Sequence, residues 1–290
     1  MSGCLFAIRK ISQPAVIQLE VGGDTRRYLL HVPKSYQASR PVPLVLVLHG
    51  GGGNGRNAES MTGFSSIAEQ EGFLVAYPFG WGAFDEKLLT WNAGNCCGKA
   101  MKDRKDDVAF IRAVVEKIKQ EYAVDASRVY ATGMSNGGMM THRLACEAGD
   151  IFAGVSPVAG ALNFDSCHPT RSMPMVIFHG RADQHVLYEG GQTKKAVAGE
   201  NRVDASVAFA VNFWKKQNGC GETPTIVKTG KVEHARYACQ NAALDLYSID
   251  DAGHTWPGGE KGRITADEPT REIFASNVMW KFWSQNPRAR

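Results

Sequence analysis

The pentapeptide Gly133-Met134-Ser135-Asn136-Gly137 constrains this chain more than any other feature, because of what flanks it. A strand-like stretch, Arg128-Val129-Tyr130-Ala131-Thr132, leads into it, and a helix-like one, Gly138 to Cys146, follows. Strand, tight turn, helix is the context in which G-x-S-x-G lifts a serine hydroxyl clear of a sheet. Such a turn forces the serine backbone into a sparsely populated conformation. Glycines two before and two after leave room for the neighbouring strand and helix. Alone the pentapeptide is weak, since a chain with 31 glycines offers many chance serine–glycine neighbours. Its meaning depends on whether the other parts of a hydrolytic site follow in a workable order.

An anion site comes first. Leu44-Val45-Leu46-Val47-Leu48 is a continuous apolar run between Pro43 and Gly50, the pattern of a strand buried on both faces. It ends in His49-Gly50-Gly51-Gly52-Gly53-Asn54, where four glycines let the backbone turn sharply and aim N–H groups into a crevice. Fixed donors aimed at a tetrahedral oxyanion are worth roughly 3–4 kcal/mol each. One donor is expected from Gly51 or Gly52 and the other from the N–H of Asn136. A phosphate loop would need Gly-Lys-Ser/Thr after the glycines, and Asn54-Gly55-Arg56 stands there instead. A plain surface loop is the other reading.

The acid and the base follow. Pro174 to Phe178 is another apolar run, ending in His179-Gly180-Arg181-Ala182-Asp183. Asp183 therefore sits at a strand end, where it can accept a hydrogen bond from imidazole and fix its tautomer. Asp165, Asp204, Asp250 and Asp251 lack that combination of strand end and chain order. Leu244 to Ile249 alternates as a strand and leads to His254 in a Gly/Pro-rich loop. An imidazole there suits proton transfer near neutral pH. His49 and His179, at strand ends, read as loop-packing residues, and His31, His142, His168, His185 and His234 as ordinary histidines. The order Ser135, Asp183, His254 is that of α/β-hydrolases. Trp256, two residues past the base, is a candidate wall for an aromatic or sugar-bearing substrate, with Trp91 and Trp81 as weaker candidates.

The 290 residues read as one catalytic domain, 25–290, behind an N-terminal extension, 1–24, because the proposed site draws on residues from His49 to His254 and no linker divides them. Val16–Glu20 and Arg27–His31 suggest a hairpin about Gly22-Gly23-Asp24. Strands are expected near 44–48, 73–77, 128–132, 153–158, 174–178 and 244–249, with amphipathic helices over 106–122, 204–217 and 270–284. This alternation implies a mostly parallel sheet covered by helices on both faces. No apolar run reaches the roughly 18–20 residues of a membrane span. A net charge of +4 with scattered Lys and Arg gives no basic stripe, so nucleic acid is not an expected partner. Lys194-Lys195 and Lys215-Lys216 read as solvated faces.

Seven cysteines are many for a cytosolic enzyme, and none is spaced as a zinc or C-x-x-C redox motif. Cys220 and Cys239 flank a hairpin and are expected to pair. Cys96, Cys97, Cys146 and Cys167 suggest two more bridges with partners left open, although adjacent cysteines are expected to bond elsewhere, and Cys4 is left over. Buried free thiols are the alternative. Disulfides point to a secreted or periplasmic protein. Yet Met1 to Pro14 carries only the short apolar stretch Cys4 to Ile8, unlike a secretory leader.

Several segments taken together resemble a known family. They are Tyr28 to Pro33 ahead of His49–Asn54, Trp91-Asn92 before Cys96-Cys97, and Asp106-Asp107-Val108 before the long helix. Gly133–Gly138, His179–Asp183, Asn218-Gly219-Cys220 and Gly253-His254-Thr255-Trp256-Pro257-Gly258 complete the set. Over roughly residues 25–285 the chain resembles the polyhydroxybutyrate depolymerase-like esterases, which include feruloyl and acetylxylan esterases. The resemblance implies an α/β-hydrolase fold, a Ser135–His254–Asp183 triad, no metal or other cofactor, disulfides among the later cysteines, and a secreted habit. It implies a small-molecule or oligomeric ester as substrate and no obligate protein partner. A feruloyl or acetylxylan type of esterase is the first expectation, and a depolymerase of hydroxyalkanoate oligomers or polyester the second. A peptidase, or a dead hydrolase fold acting as a binding module, fits less well. Leu187 precedes Tyr188 where the family often has proline, and no polymer-binding domain is appended, which disfavours crystalline polymer.

Overall fold

Strand β3 (Val42–Leu48) is buried along its whole length, and its side chains divide by parity between two cores. Leu44, Leu46 and Leu48 pack on one face with Val129, Ala131 and Ile177, while Val45 and Val47 pack on the other with Val75, Tyr130 and Phe178. That is the period-two rule of a strand applied to an apolar run with no polar face. The computed structural model describes residues 16–193, 202–262 and 266–288. Cys4 and Lys194-Lys195 lie outside the described residues.

Among these residues the other strands are β1 (Val16–Val21), β2 (Asp24–His31), β4 (Leu74–Pro78), β5 (Val124–Met134), β6 (Gly154–Val158), β7 (Met175–Gly180), β8 (Gly191–Gln192), β9 (Val203–Asp204), β10 (Thr225–Thr229), β11 (Val232–Tyr237) and β12 (Leu244–Ile249). Helices are α1 (Gly55–Thr62), α2 (Phe64–Glu71), α3 (Gly98–Lys102), α4 (Asp107–Glu121), α5 (Asn136–Glu147), α6 (Val207–Asn218) and α7 (Ala275–Gln285). Ten strands form one sheet in the order β1-β2-β4-β3-β5-β6-β7-β12-β11-β10. The run from β4 to β12 is parallel, and antiparallel hairpins finish both ends. α4, α5 and α6 feed the core on one face, and α1, α2 and α7 the core on the other. This is the α/β-hydrolase arrangement.

Local chemistry sets the element ends. Asp106 caps α4 by accepting the Ala109 N–H at 2.9 Å, and Val108, Ile111, Val115 and Ile118 then repeat inward at three and four. The β1–β2 turn uses Gly22 and Gly23 at φ 60° and 84°, values that favour glycine. β1 hydrogen-bonds along β2 from Val16 to Val21, the hairpin expected about Gly22-Gly23-Asp24.

Disulfides join Cys146 to Cys167 and Cys220 to Cys239, the latter closing the base of the β10–β11 hairpin. Cys96 and Cys97 pair with each other, against the expectation that neighbours bond elsewhere. α5 and the β6–β7 connection bring Cys146 and Cys167 together, so neither is a partner for the adjacent pair. Among the described residues, no helix is long and apolar enough to cross a membrane.

Candidate active site

β3 is flanked by β4 on one side and β5 on the other, so chain direction through the sheet reverses beside it. Loops leaving the C-terminal ends of β3 and β5 diverge there and leave a crevice, the usual ligand position in such sheets. The loop after β3 is His49–Asn54, and the turn after β5 holds Ser135. Asp183 follows β7 and His254 follows β12, on the same edge of the sheet because all these strands are parallel.

Ser135 has φ 57° and ψ −122°, the strained backbone that its motif predicts. Its N–H donates to the Val158 carbonyl at 2.9 Å. Both motif glycines are sterically required. A Cβ at Gly133 would lie 2.5 Å from the Gly137 carbonyl oxygen, and one at Gly137 would lie 2.5 Å from that of His49. The serine therefore sits on a turn with no slack between strand and helix.

Asp183 is buried and fully engaged. Its Oδ1 accepts the backbone N–H groups of His185 and Val186 at 2.7 and 2.9 Å, and its Oδ2 accepts from His254 Nδ1 at 2.7 Å. Burial alone would push this carboxyl up. The His254 imidazole beside it and hydrogen bonds from His179 and His254 overcome that and hold it well below the usual carboxylate range. An ionised Asp183 keeps the proton on His254 Nδ1 and leaves a lone pair on Nε2. The His254 main chain is itself tethered, its N–H donating to Asp267 Oδ2 at 2.8 Å.

Ser135 and His254 line one cleft of about 190 Å³, with Gly50, Gly51, Met61, Met134 and Trp256 among its walls. Gly51, in the cleft wall, stands beside the buried Asn136: a Cβ at Gly51 would lie 3.7 Å from that of Asn136. Asn136 opens α5, so its N–H has no partner within the helix and stands at the positive end of the helix dipole. The Gly52 N–H points elsewhere, donating to the Leu89 carbonyl at 2.7 Å, so the expectation of an oxyanion donor there is corrected.

Two tryptophan expectations separate. Trp256 does line the cleft, but it is 1% exposed and donates its indole N–H to Ser276 Oγ at 3.0 Å. Trp91 is fully buried behind His49 and does not reach the cleft, so its assignment to substrate is corrected. Trp81 packs under Lys105 and donates to Asp103, also outside the cleft.

The strand-end histidines are packed against the backbone. His49 Nε2 accepts the Gly80 N–H at 2.9 Å, its Nδ1 lies 2.8 Å from the Gly50 carbonyl, and burial pushes its pKa down to about 4. His179 holds the Val186 carbonyl at 2.8 Å and stands 3.5 Å from Asp183 Oδ2. His185, read from sequence as ordinary, lines the cleft with its ring centroid 4.9 Å from that of His254. Its place two residues past Asp183 was the only signal available. Met61 and Asp267, from α1 and the β12–α7 loop, offered none.

Known proteins share this frame. The family model described as esterase PHB depolymerase matches residues 26–199. The putative esterase NocK of Nocardia uniformis subsp. tsuyamanensis is 33% identical over 83% of this chain and 74% of its own length. Feruloyl esterase B of Piromyces equi is 29% identical over 82% of this chain, which spans only 44% of that protein. Among solved structures, acetyl xylan esterase from Aspergillus awamori superposes with a TM-score of 0.64 at 17% identity, covering 92% of this chain and 98% of that one, a likeness of fold. By its matched model and its relatives, the chain belongs to the esterase PHB depolymerase family.

Proposed function

We propose that this carboxylic ester hydrolase is a serine esterase in which Ser135 attacks, His254 carries the proton and Asp183 holds the imidazole. One observation carries the reading: a strained Ser135 shares a cleft with a His254 whose Nδ1 is bound to a buried, ionised Asp183. In this mechanism His254 Nε2 takes the Ser135 proton as Oγ adds to the ester carbonyl. The oxyanion that forms meets the N–H groups of Gly51 and Asn136. His254 then protonates the departing alcohol, and water repeats the sequence on the acyl-enzyme.

The substrate proposed first is a feruloyl or acetyl ester of plant polysaccharide, in line with the named activity of feruloyl esterase B among its relatives. A hydroxyalkanoate oligomer is the second, favoured by the family model and by the small exposure of Trp256, which leaves little ring face for an aryl group. Three disulfides suit an oxidising compartment, and we place the enzyme outside the cytoplasm. The deciding experiment is kcat/KM for methyl ferulate against a soluble 3-hydroxybutyrate oligomer, with Ser135→Ala as control. Preference for ferulate supports the first substrate. Preference for the oligomer supports the second, and turnover by Ser135→Ala rejects the mechanism.

A further inference from the structure

Trp91 joins the two segments that supply the oxyanion donors. On one side the Asn136 amide closes on its main chain: the Trp91 N–H donates to Asn136 Oδ1 at 2.7 Å, and Asn136 Nδ2 donates to the Trp91 carbonyl at 2.9 Å. On the other side the Trp91 indole N–H donates to the His49 carbonyl at 2.9 Å, with its ring 4.9 Å from the His49 imidazole. The neighbours of Trp91 add two further ties. Leu89 accepts the Gly52 N–H at 2.7 Å, and the Asn92 N–H donates to Asp107 Oδ2 at 2.7 Å. Asp107 is itself paired with Arg26 at 2.6 Å in the core.

Residues 89–92 are thus bonded to the loop after β3, to the first residue of α5, and to a buried ion pair. An oxyanion site needs donors fixed before the reaction, at distances set to a few tenths of an ångström. Here the two donors come from loops far apart in sequence, and neither loop alone can set the spacing. A buried polar network with its members satisfied holds one arrangement and resists others. We infer that Trp91 is a positioning residue for the oxyanion site. Its indole bond to His49 and the Asn136 clamp on its backbone fix Gly51 against Asn136. The inference rests on the serine-esterase reading above.

The test replaces Trp91 with Phe and, separately, with 3-benzothienylalanine, which keeps the volume and removes only the indole N–H. For each variant kcat, KM and the Ki of an aryl trifluoromethyl ketone are measured, because the hemiketal anion of that inhibitor on Ser135 occupies the oxyanion donors. We expect kcat to fall ~10–100-fold, Ki to rise by the same factor, and KM to stay within about twofold. Unchanged kcat and Ki in the benzothienyl variant overturn the inference. So does a raised KM at unchanged kcat, the signature of a substrate wall. Should Trp91→Phe fail to fold, the benzothienyl variant carries the test alone. Failure of the serine-esterase reading shows separately, as a wild-type enzyme that does not bind the ketone.

Discussion

Replacing Asp183 with Asn keeps the shape of the side chain and removes its charge, and the surroundings dictate how the new amide sits. Oδ1 accepts two backbone N–H groups, from His185 and Val186, so the amide oxygen must take that position. Turning the amide over would set its NH2 against both donors, at a cost of roughly 1–3 kcal/mol for each buried group left unsatisfied. The NH2 is therefore forced to face His254 Nδ1, where the carboxylate oxygen stood at 2.7 Å. It donates to Nδ1 and drives the ring proton to Nε2, the atom that has to receive the Ser135 proton. We expect kcat to fall about 10⁴-fold at neutral pH, roughly 5.5 kcal/mol of transition-state stabilisation, as in other triads given the wrong tautomer. The assay is steady-state hydrolysis of a p-nitrophenyl ester by wild type and Asp183→Asn, with circular dichroism to show that both are folded. A loss of less than about tenfold would show that Asp183 does not set the His254 tautomer.

Further perturbations test the surrounding structure. The Asp183 carboxyl is depressed in the fold, so the stability it contributes is present above the unfolded value near pH 4 and is lost as pH falls below it. Denaturant titrations at pH 3 and pH 6 should therefore differ more for wild type than for Asp183→Asn. Ser135→Gly should be more stable than Ser135→Ala by about 1 kcal/mol, because only glycine relieves φ 57°; equal melting temperatures would deny the strain. Gly137→Ala places a methyl 2.5 Å from the His49 carbonyl oxygen, and should lower both Tm and kcat. Wild-type activity in that variant would contradict the packing described. Replacing Cys220 and Cys239 together by Ser should cost about 3 kcal/mol, read by urea unfolding, since the bridge closes a chain segment with a separation of 19.

The sheet was legible because its central strands are apolar runs such as Leu44–Leu48 that have no other soluble use. The segments carrying Ser135, Asp183 and His254 were legible for a related reason: each follows a strand, apolar or alternating, and parallel pairing brings all those ends to one edge. What the sequence left open depends on contacts between distant residues. Gly52 reads in sequence as a possible donor until the fold turns its N–H to the Leu89 carbonyl. Trp91 and Trp256 are equally aromatic, and only the His49 carbonyl and the Asn136 amide turn the first away from the cleft. The pairing of Cys146 with Cys167 depends on how α5 packs against the β6–β7 connection, which no local pattern encodes. His185 enters the cleft because its backbone N–H is bound to Asp183, an outcome of loop folding and not of residue type.

Whether Ser135 is a nucleophile activated by His254 can be read by treating the protein with a fluorophosphonate and mapping the adduct by mass spectrometry, alongside His254→Ala. One adduct per chain is expected, on Ser135, formed rapidly by wild type and at least ~10³-fold more slowly by the variant. An adduct on another residue, or labelling that ignores the loss of His254, would contradict that chemistry.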